Sequence, residues 1–173
     1  MASSIDSALA KMAGTAGFVE ARLRGLRGVF TTLAEQHHEL GALLGRLEEA
    51  KEPEKRKELW TEIRRELVSH EQAELIEIYP LLEAHERTRA IAREHIEDAD
   101  ELELQVRELD RSELESEEWT AALGRLISKF DEHVKLEEEH LFLEVQEALG
   151  EQAAKELEEP FLRTKELALG ALR

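Results

Sequence analysis

Leucine, isoleucine, valine and aromatic residues recur along this chain at three- and four-residue intervals, the spacing that lines one face of an α-helix. Phe30, Leu33, Leu40, Leu44 and Leu47 share one such seam, which predicts a helix over about residues 18–50. Pro53 suits a helix start, and Ile63, Leu67, Ile78 and Leu81 lie on one face, so a second helix is expected over about 54–84. Ile91, Ala99, Leu102, Val106 and Leu109 give a third, over about 88–110. Trp119, Leu123, Leu126, Phe130, Val134 and Leu141 give a fourth, over about 116–148. No stretch alternates Val, Ile and aromatic residues with polar ones at period two, so strands are not expected. Long amphipathic helices joined by short connectors imply an all-α fold, an antiparallel up-down-up-down four-helix bundle. The chain then divides into an N-terminal extension (1–17), the bundle (18–149) and a C-terminal helical extension (150–173). Ile5, Leu9 and Met12 would form a short amphipathic turn before Gly14 and Gly17, and Leu157, Phe161, Leu162 and Leu167 a fifth helix interrupted by Pro160. Both extensions are read as caps or interface elements, compatible with a homodimer and without obvious chemistry.

Composition narrows the partners. The 173 residues, about one domain's worth, include 40 Asp or Glu against 23 Lys or Arg, a formal net charge of -17. Although 36% of residues are charged, the 42% apolar content is periodic, which argues for a folded chain over a disordered one. Nucleic-acid affinity comes mainly from clustered Lys and Arg, so nucleic acid is an unsuitable partner and cations are the natural one. No apolar run approaches the roughly 18 residues of a membrane helix, and the start MASSIDSALAKM lacks the basic-then-apolar build of a signal peptide. A soluble, cytoplasmic protein without a membrane partner is expected. With no cysteine, any metal must be held by His, Asp or Glu.

Four of the seven histidines fall on the apolar seams. His37 completes the series Leu33, His37, Leu40, Leu44, while His38 is turned about 100° away. His70 and Glu74 lie one turn apart between Leu67 and Ile78; His95 lies midway between Ile91 and Ala99; His133 and Glu137 interrupt the run from Phe130 to Leu141. A single inward histidine is more often a core residue than a ligand, and the His-x3-Glu spacing is weak in a Glu-rich chain. Register is the sharper criterion, because antiparallel neighbours meet at one height only when equidistant from the turn joining them. The midpoints fall near residue 54 beside Pro53, near 83–84 just after Pro80, and at about 114 in the polar stretch Asp110–Glu118. Four imidazoles and two carboxylates are thereby predicted in one layer of the core, where buried carboxylates without compensation would cost several kcal/mol.

Imidazole with carboxylate and no thiolate suits Fe, Mn or Zn, and six ligands exceed the four of a closed zinc site. Two metals bridged by Glu74 and Glu137, with His37, His70, His95 and His133 as terminal ligands, would use all six groups. Around these residues, QHHELGALLGRL, HEQAELIEIYP, REHIEDADEL and HVKLEEEHLF, the chain resembles the hemerythrin-like, HHE cation-binding family over about residues 30–148. The resemblance implies a non-haem centre of two iron ions with carboxylate and oxo or hydroxo bridges, binding a small ligand such as O2, hydrogen peroxide or NO for storage, detoxification or sensing. The chain departs from oxygen-carrying relatives in its third helix, where a turn either side of His95 stand Ile91 and Ala99 in place of a second histidine. Gln36 occupies a place often acidic in the family, and Leu143 stands where a proline would mirror Pro80. The missing histidine leaves an open coordination position and favours redox chemistry or sensing over oxygen carriage.

Three alternatives follow from the same residues. A peroxidase- or catalase-like enzyme would use the same site, and a structural or signalling bundle would hold a structural metal or none. Glu35-x-x-His38 with Glu137-x-x-His140 imitates a ferritin-like pair, but Glu35 and His38 point away from the seam. His140 faces roughly inward about 10 Å along the helix from His133, as a support or channel residue, and Glu71 is read first as a solvated charge and second as an extra ligand. Tyr79 and Trp119 are read as core packing, with electron transfer as the alternative role.

Overall fold

Proline, serine and glycine fix where the helices of this chain begin and end. In the computed structural model, which describes residues 4–172, all regular structure among the described residues is helical. Residues 1–3 of the expected N-terminal extension and Arg173 of the C-terminal one lie outside the described residues. The helices are α1 (Ser4–Leu23), α2 (Val29–Glu49), α3 (Pro53–Glu77), α4 (Tyr79–Ala84), α5 (Arg89–Arg111) and α6 (Glu117–Leu136), followed by a π-helical turn (Glu137–Leu141), α7 (Phe142–Leu149), α8 (Glu151–Glu156) and α9 (Glu158–Ala171). Pro53 opens α3, where its missing N–H costs nothing. Ser116 caps α6 by accepting from the Trp119 N–H at 3.0 Å, and Glu117 and Glu118 sit favourably at the positive end of the helix dipole.

The expected four-helix bundle is present. It is formed by α2, by α3 continued as α4, by α5, and by α6 continued through the π turn into α7. Packing runs α2 to α3, α3 to α5, α5 to α6 and α6 back to α2. The expected single helix over 18–50 is instead two helices. Gly25, at φ 98°, closes α1 with the bonds Leu26 N–H to Ala21 O (3.0 Å) and Gly25 N–H to Arg22 O (3.2 Å), a Schellman ending. Gln146 then pins the turn, accepting from Arg27 N–H at 2.7 Å and donating to Gly25 O at 3.0 Å. The chain reverses, so α1 lies along α2 instead of extending it.

The short turn expected before Gly14 is thus part of a 20-residue helix. Its buried stripe consists of small residues, Ala10, Gly14, Gly17 and Ala21, seated against Glu39 and His38 of α2. Asp6, also buried, is ion-paired with Arg46 of α2 at 2.7 Å and with Lys55 of α3. Close approach selects small side chains, so the larger Ile5, Leu9 and Met12 point to solvent. At the other end α9 packs on α3, burying Phe161 and Lys165 and exposing Leu162 and Leu167; Pro160 sits in its first turn and does not interrupt it.

The core is in two parts. One apolar cluster joins Leu40, Leu44 and Leu47 to Leu59, Ile63, Leu67, Leu102, Val106, Trp119 and Phe130. The other joins Phe30 and Leu33 to Ala73, Tyr79, Leu82, Ala92, Phe142 and Phe161. Between them each bundle helix contributes buried polar side chains. The two clusters grip the polar layer from above and below.

Gly28 makes a demanding contact, because at φ 55°, ψ -133° an added Cβ would lie 2.2 Å from the Ala154 carbonyl oxygen of α8. Gly28→Ala is expected to lower unfolding free energy by about 2 kcal/mol or more, read as a reduced denaturant midpoint. Gly45→Ala, at an exposed helical site with open space around it, should be neutral or stabilising by up to about 1 kcal/mol. Equal midpoints for the two variants would refute the close-approach account.

Candidate metal centre

Each bundle helix delivers its polar residue because its apolar neighbours fix the phase. Leu33 and Leu40 turn His37 inward on α2, Leu67 and Ala73 do so for His70 on α3, and Phe130 for His133 on α6. Ala92 and Ala99 bracket His95 on α5. The six residues singled out from the sequence, His37, His70, Glu74, His95, His133 and Glu137, are each no more than 2% exposed. The fold brings all six together.

Two halves can be distinguished. His37 Nε2 lies 3.1 Å from His70 Nε2, and His70 Nε2 lies 3.6 Å from Glu74 Oε2; these three side chains offer ligand atoms within 4.8 Å of one another. On the other side the His95 and His133 rings meet with centroids 5.6 Å apart. Glu137 spans the halves, with Oε2 3.2 Å from His37 Nε2 and 3.5 Å from His133 Nε2, and Oε1 3.9 Å from His95 Nδ1. Glu74 also belongs to both, since it forms a second compact group with Glu71 and His133. A third group, His95, Asp98 and His133, includes a carboxylate already paired with Lys129 at 2.7 Å.

Glu71 and Glu138 carry more than the sequence indicated. Glu71 is buried with Oε1 3.3 Å from His133 Nε2, so it is no solvated surface charge. Glu138 receives a hydrogen bond from His37 Nδ1 at 3.0 Å and lies 3.6 Å from Arg24 Nη1. Two consecutive glutamates reach one site because the helix loosens into a π turn at Glu137, closed by Phe142 N–H to Glu137 O. The same turn swings His140 to an exposed position, against the inward phase an unbroken α-helix would give it. His38 packs on Gly17 of α1, away from the site.

The two histidines of the first half are held from behind. Gln36 Oε1 accepts from His70 Nδ1 at 2.9 Å and from Lys165 Nζ at 2.8 Å; lysine can only donate, which orients the amide oxygen toward both. Lys165 is further paired with Glu66 at 2.9 Å. With both Nδ1 atoms donating outward, His37 and His70 present Nε2 inward, the arrangement that fixes tautomer and ring direction in metal-binding histidines. Phe142 stacks on His37 and Phe161 meets the edge of His70, with centroids at 5.8 and 5.9 Å. Lys165 and Phe161 belong to α9, so the C-terminal extension, expected to lack chemistry, supports the site directly, as does Arg24 from the turn before α2.

Protonation follows the layout. Burial opposes charge on His133, but the Glu71 and Glu137 carboxylates overcome it and raise its pKa to about 10. Burial likewise opposes charge on His37, and the adjacent Glu137 and Glu138 carboxylates raise it nonetheless. His70 is pushed well below its ordinary range by burial, then by the neighbouring His37 and Lys165 charges. Glu74 is driven well above the carboxylate range by burial and by Glu137 and Glu71, whereas Glu137, buried too, is drawn below it by His133 and His37. Tyr79 O–H donates to Glu137 Oε1 at 3.0 Å, and burial with the adjacent carboxylates raises its pKa well above the usual phenol value.

This donor set fits cations. Glu71 Oε1 and Oε2, Glu74 Oε2, Glu137 Oε2 and His133 Nε2 are buried and make no hydrogen bond among the described residues. Such atoms are costly to bury unless a positive charge satisfies them. The mixture of imidazole and carboxylate suits iron, manganese or zinc. No helix among the described residues is long and apolar enough to cross a membrane. Comparison with curated proteins returned no match, and neither did comparison with solved structures. The family model of the hemerythrin HHE cation binding domain matches residues 29–145, a span containing the whole buried donor layer, and the chain belongs to that family.

Proposed function

We propose that the buried layer holds two iron ions and that the protein binds O2, peroxide or NO there, in storage, detoxification or sensing. The observation that supports this most strongly is the set of buried acceptor atoms without hydrogen bonds, contributed by Glu71, Glu74 and Glu137 around four histidines. When bound, an iron pair supplies open coordination and reversible one-electron chemistry at neutral pH. His37 and His70 would hold one ion, His95 and His133 the other, with Glu74 and Glu137 between. Glu71 would serve beside His133, on the side where α5 offers Ala99 in place of a second histidine. The apolar clusters above and below exclude water, and the Gln36 and Glu138 contacts hold two of the rings in place.

A second reading, peroxide-directed redox activity, draws on Tyr79. Its hydroxyl donates to Glu137 and its ring lies 6.4 Å from His95, which places an oxidisable phenol beside the centre. Rapid O2 evolution from hydrogen peroxide, lost in His133→Ala, would favour this reading; unchanged peroxide would count against it.

Iron analysis of protein purified after aerobic growth should give about two irons per chain and an oxo-to-iron absorption band, and His133→Ala should lower both. Less than about one iron per chain with no such band would overturn the assignment. Loading should also release protons. A histidine with pKa near 10 is protonated at pH 7, and a carboxyl raised well above 4.5 retains its proton to higher pH, yet both must be deprotonated to bind metal. Anaerobic addition of Fe(II) to weakly buffered protein should therefore acidify the solution, and apparent affinity should rise with pH. Absence of acidification would mean that His133 and Glu74 are already unprotonated. Finally, Lys165→Met should speed iron loss to a chelator by about tenfold or more, with partial rescue by Lys165→Arg, because support behind a ligating histidine commonly contributes that much. Unchanged chelation kinetics in Lys165→Met would show that α9 does not support the centre.

A further inference from the structure

The α3–α5 seam of the bundle is open on one side of the buried donor layer. A cavity of about 210 Å³ lies there, walled by Leu67 and Leu75 of α3 and by Ala99, Leu102 and Val106 of α5, with Glu71 as the carboxylate against it. Ala99 is one turn beyond His95, and its small side chain is one reason the space exists. Glu71 is 8% exposed, both its oxygens are buried without a hydrogen bond, and Oε1 is 3.3 Å from His133 Nε2. A single side chain therefore separates the cavity from the metal-centre donors.

Size and polarity define what fits. An apolar cavity of about 150 Å³ accepts benzene, and a water molecule occupies only about 30 Å³; here the aliphatic side chains form the walls, and the polar Gln72, Asp100 and Glu103 at the rim are exposed. A diatomic molecule would fill only a small part of the space. Asp100 and Glu103 lie along the lining and are exposed, and with Glu71 they make the approach hostile to anions. The Glu71 carboxylate, whose Oε1 faces His133, has a second buried oxygen without a hydrogen bond, and an ionised carboxylate accepts but cannot donate.

We propose that this cavity binds a neutral, apolar organic molecule of about one aromatic ring carrying one O–H group, with the ring between α3 and α5 and the hydroxyl donating to Glu71. Binding depends on the cavity alone. The further consequence, that such a molecule is held beside the redox centre as its substrate class, rests on the di-iron reading.

Phenol serves as the probe, measured by equilibrium dialysis against the purified full chain with its iron content recorded. Saturable binding of about one phenol per chain is expected, with toluene weaker and benzoate not retained. Ala99→Leu, which fills the cavity from α5, should weaken phenol at least about tenfold, and Val106→Phe should do the same should the first variant not fold by circular dichroism. No saturable phenol binding up to millimolar concentration would overturn the proposal. So would benzoate binding equal to phenol, or wild-type affinity in a folded filled variant. The two readings fail separately: phenol binding lost on filling in a protein without iron would leave the cavity standing and remove the di-iron centre, while full iron content without phenol binding would do the reverse.

Discussion

Burial of carboxylates is the constraint on which the rest of this structure depends. Glu74 and Glu137 are each about 1% exposed and Glu71 only 8%, in a layer that cuts the apolar core in two. Isolated charges in such surroundings cost several kcal/mol after relaxation, so they persist only with compensation. Part of it is internal: Glu137 faces His37 and His133, and the resulting charge pairing keeps that carboxylate ionised. Glu74 has no comparable partner, and burial among like charges favours its protonated form. The layer is therefore frustrated without a cation, a state natural proteins tolerate mainly at functional sites.

Side chains outside the four-helix core make this layer rigid on one side. The chains Arg24 to Glu138 to His37 and Lys165 to Gln36 to His70 each end on a histidine and begin outside residues 29–145 of the family match. An amide where relatives often have an acid changes the electrostatics behind His70. Gln36 fixes the ring by hydrogen bonding but adds no negative charge, and Lys165 adds a positive one. Both lower the basicity of His70 relative to a carboxylate-backed histidine, which should favour the more electron-rich, reduced state of a metal bound there.

Much of the bundle was legible in the sequence because a heptad-like apolar seam and equal distances from the turns determine register in antiparallel helices. His37, His70, His95 and His133 could be placed at one height from those two features alone. The elements that escaped are those where local chemistry breaks the periodicity. Gly25 and Gly28 reverse the chain inside an expected helix, with no interruption of the apolar pattern beyond the glycines themselves. The π turn at Glu137 shifts phase by one residue, so Glu138 enters and His140 leaves; the run Glu137 to Glu139 was its only mark. Lys165 and Arg24 were illegible because a long cation on an amphipathic helix or turn usually snorkels to solvent, and only tertiary placement shows an acceptor within reach.

The two halves of the centre differ in a way that bears on reactivity. On the His37 and His70 side, packing by Phe142 and Phe161 and hydrogen bonds to both Nδ1 atoms leave little freedom for ring rotation. On the His95 and His133 side, Glu71 Oε1 lies 3.3 Å from His133 Nε2 and a cavity lies behind it. A carboxylate can change from one to two coordinating oxygens or swing aside, movements that a ring locked by a second hydrogen bond cannot make. Glu71 thus adjoins a cavity with aliphatic walls, while on the opposite side hydrogen bonds and aromatic packing hold the rings. On the proposed di-iron reading, that polarity assigns ligand exchange to the His133 end and anchoring to the His70 end, a division of labour set by α9 covering the His70 side.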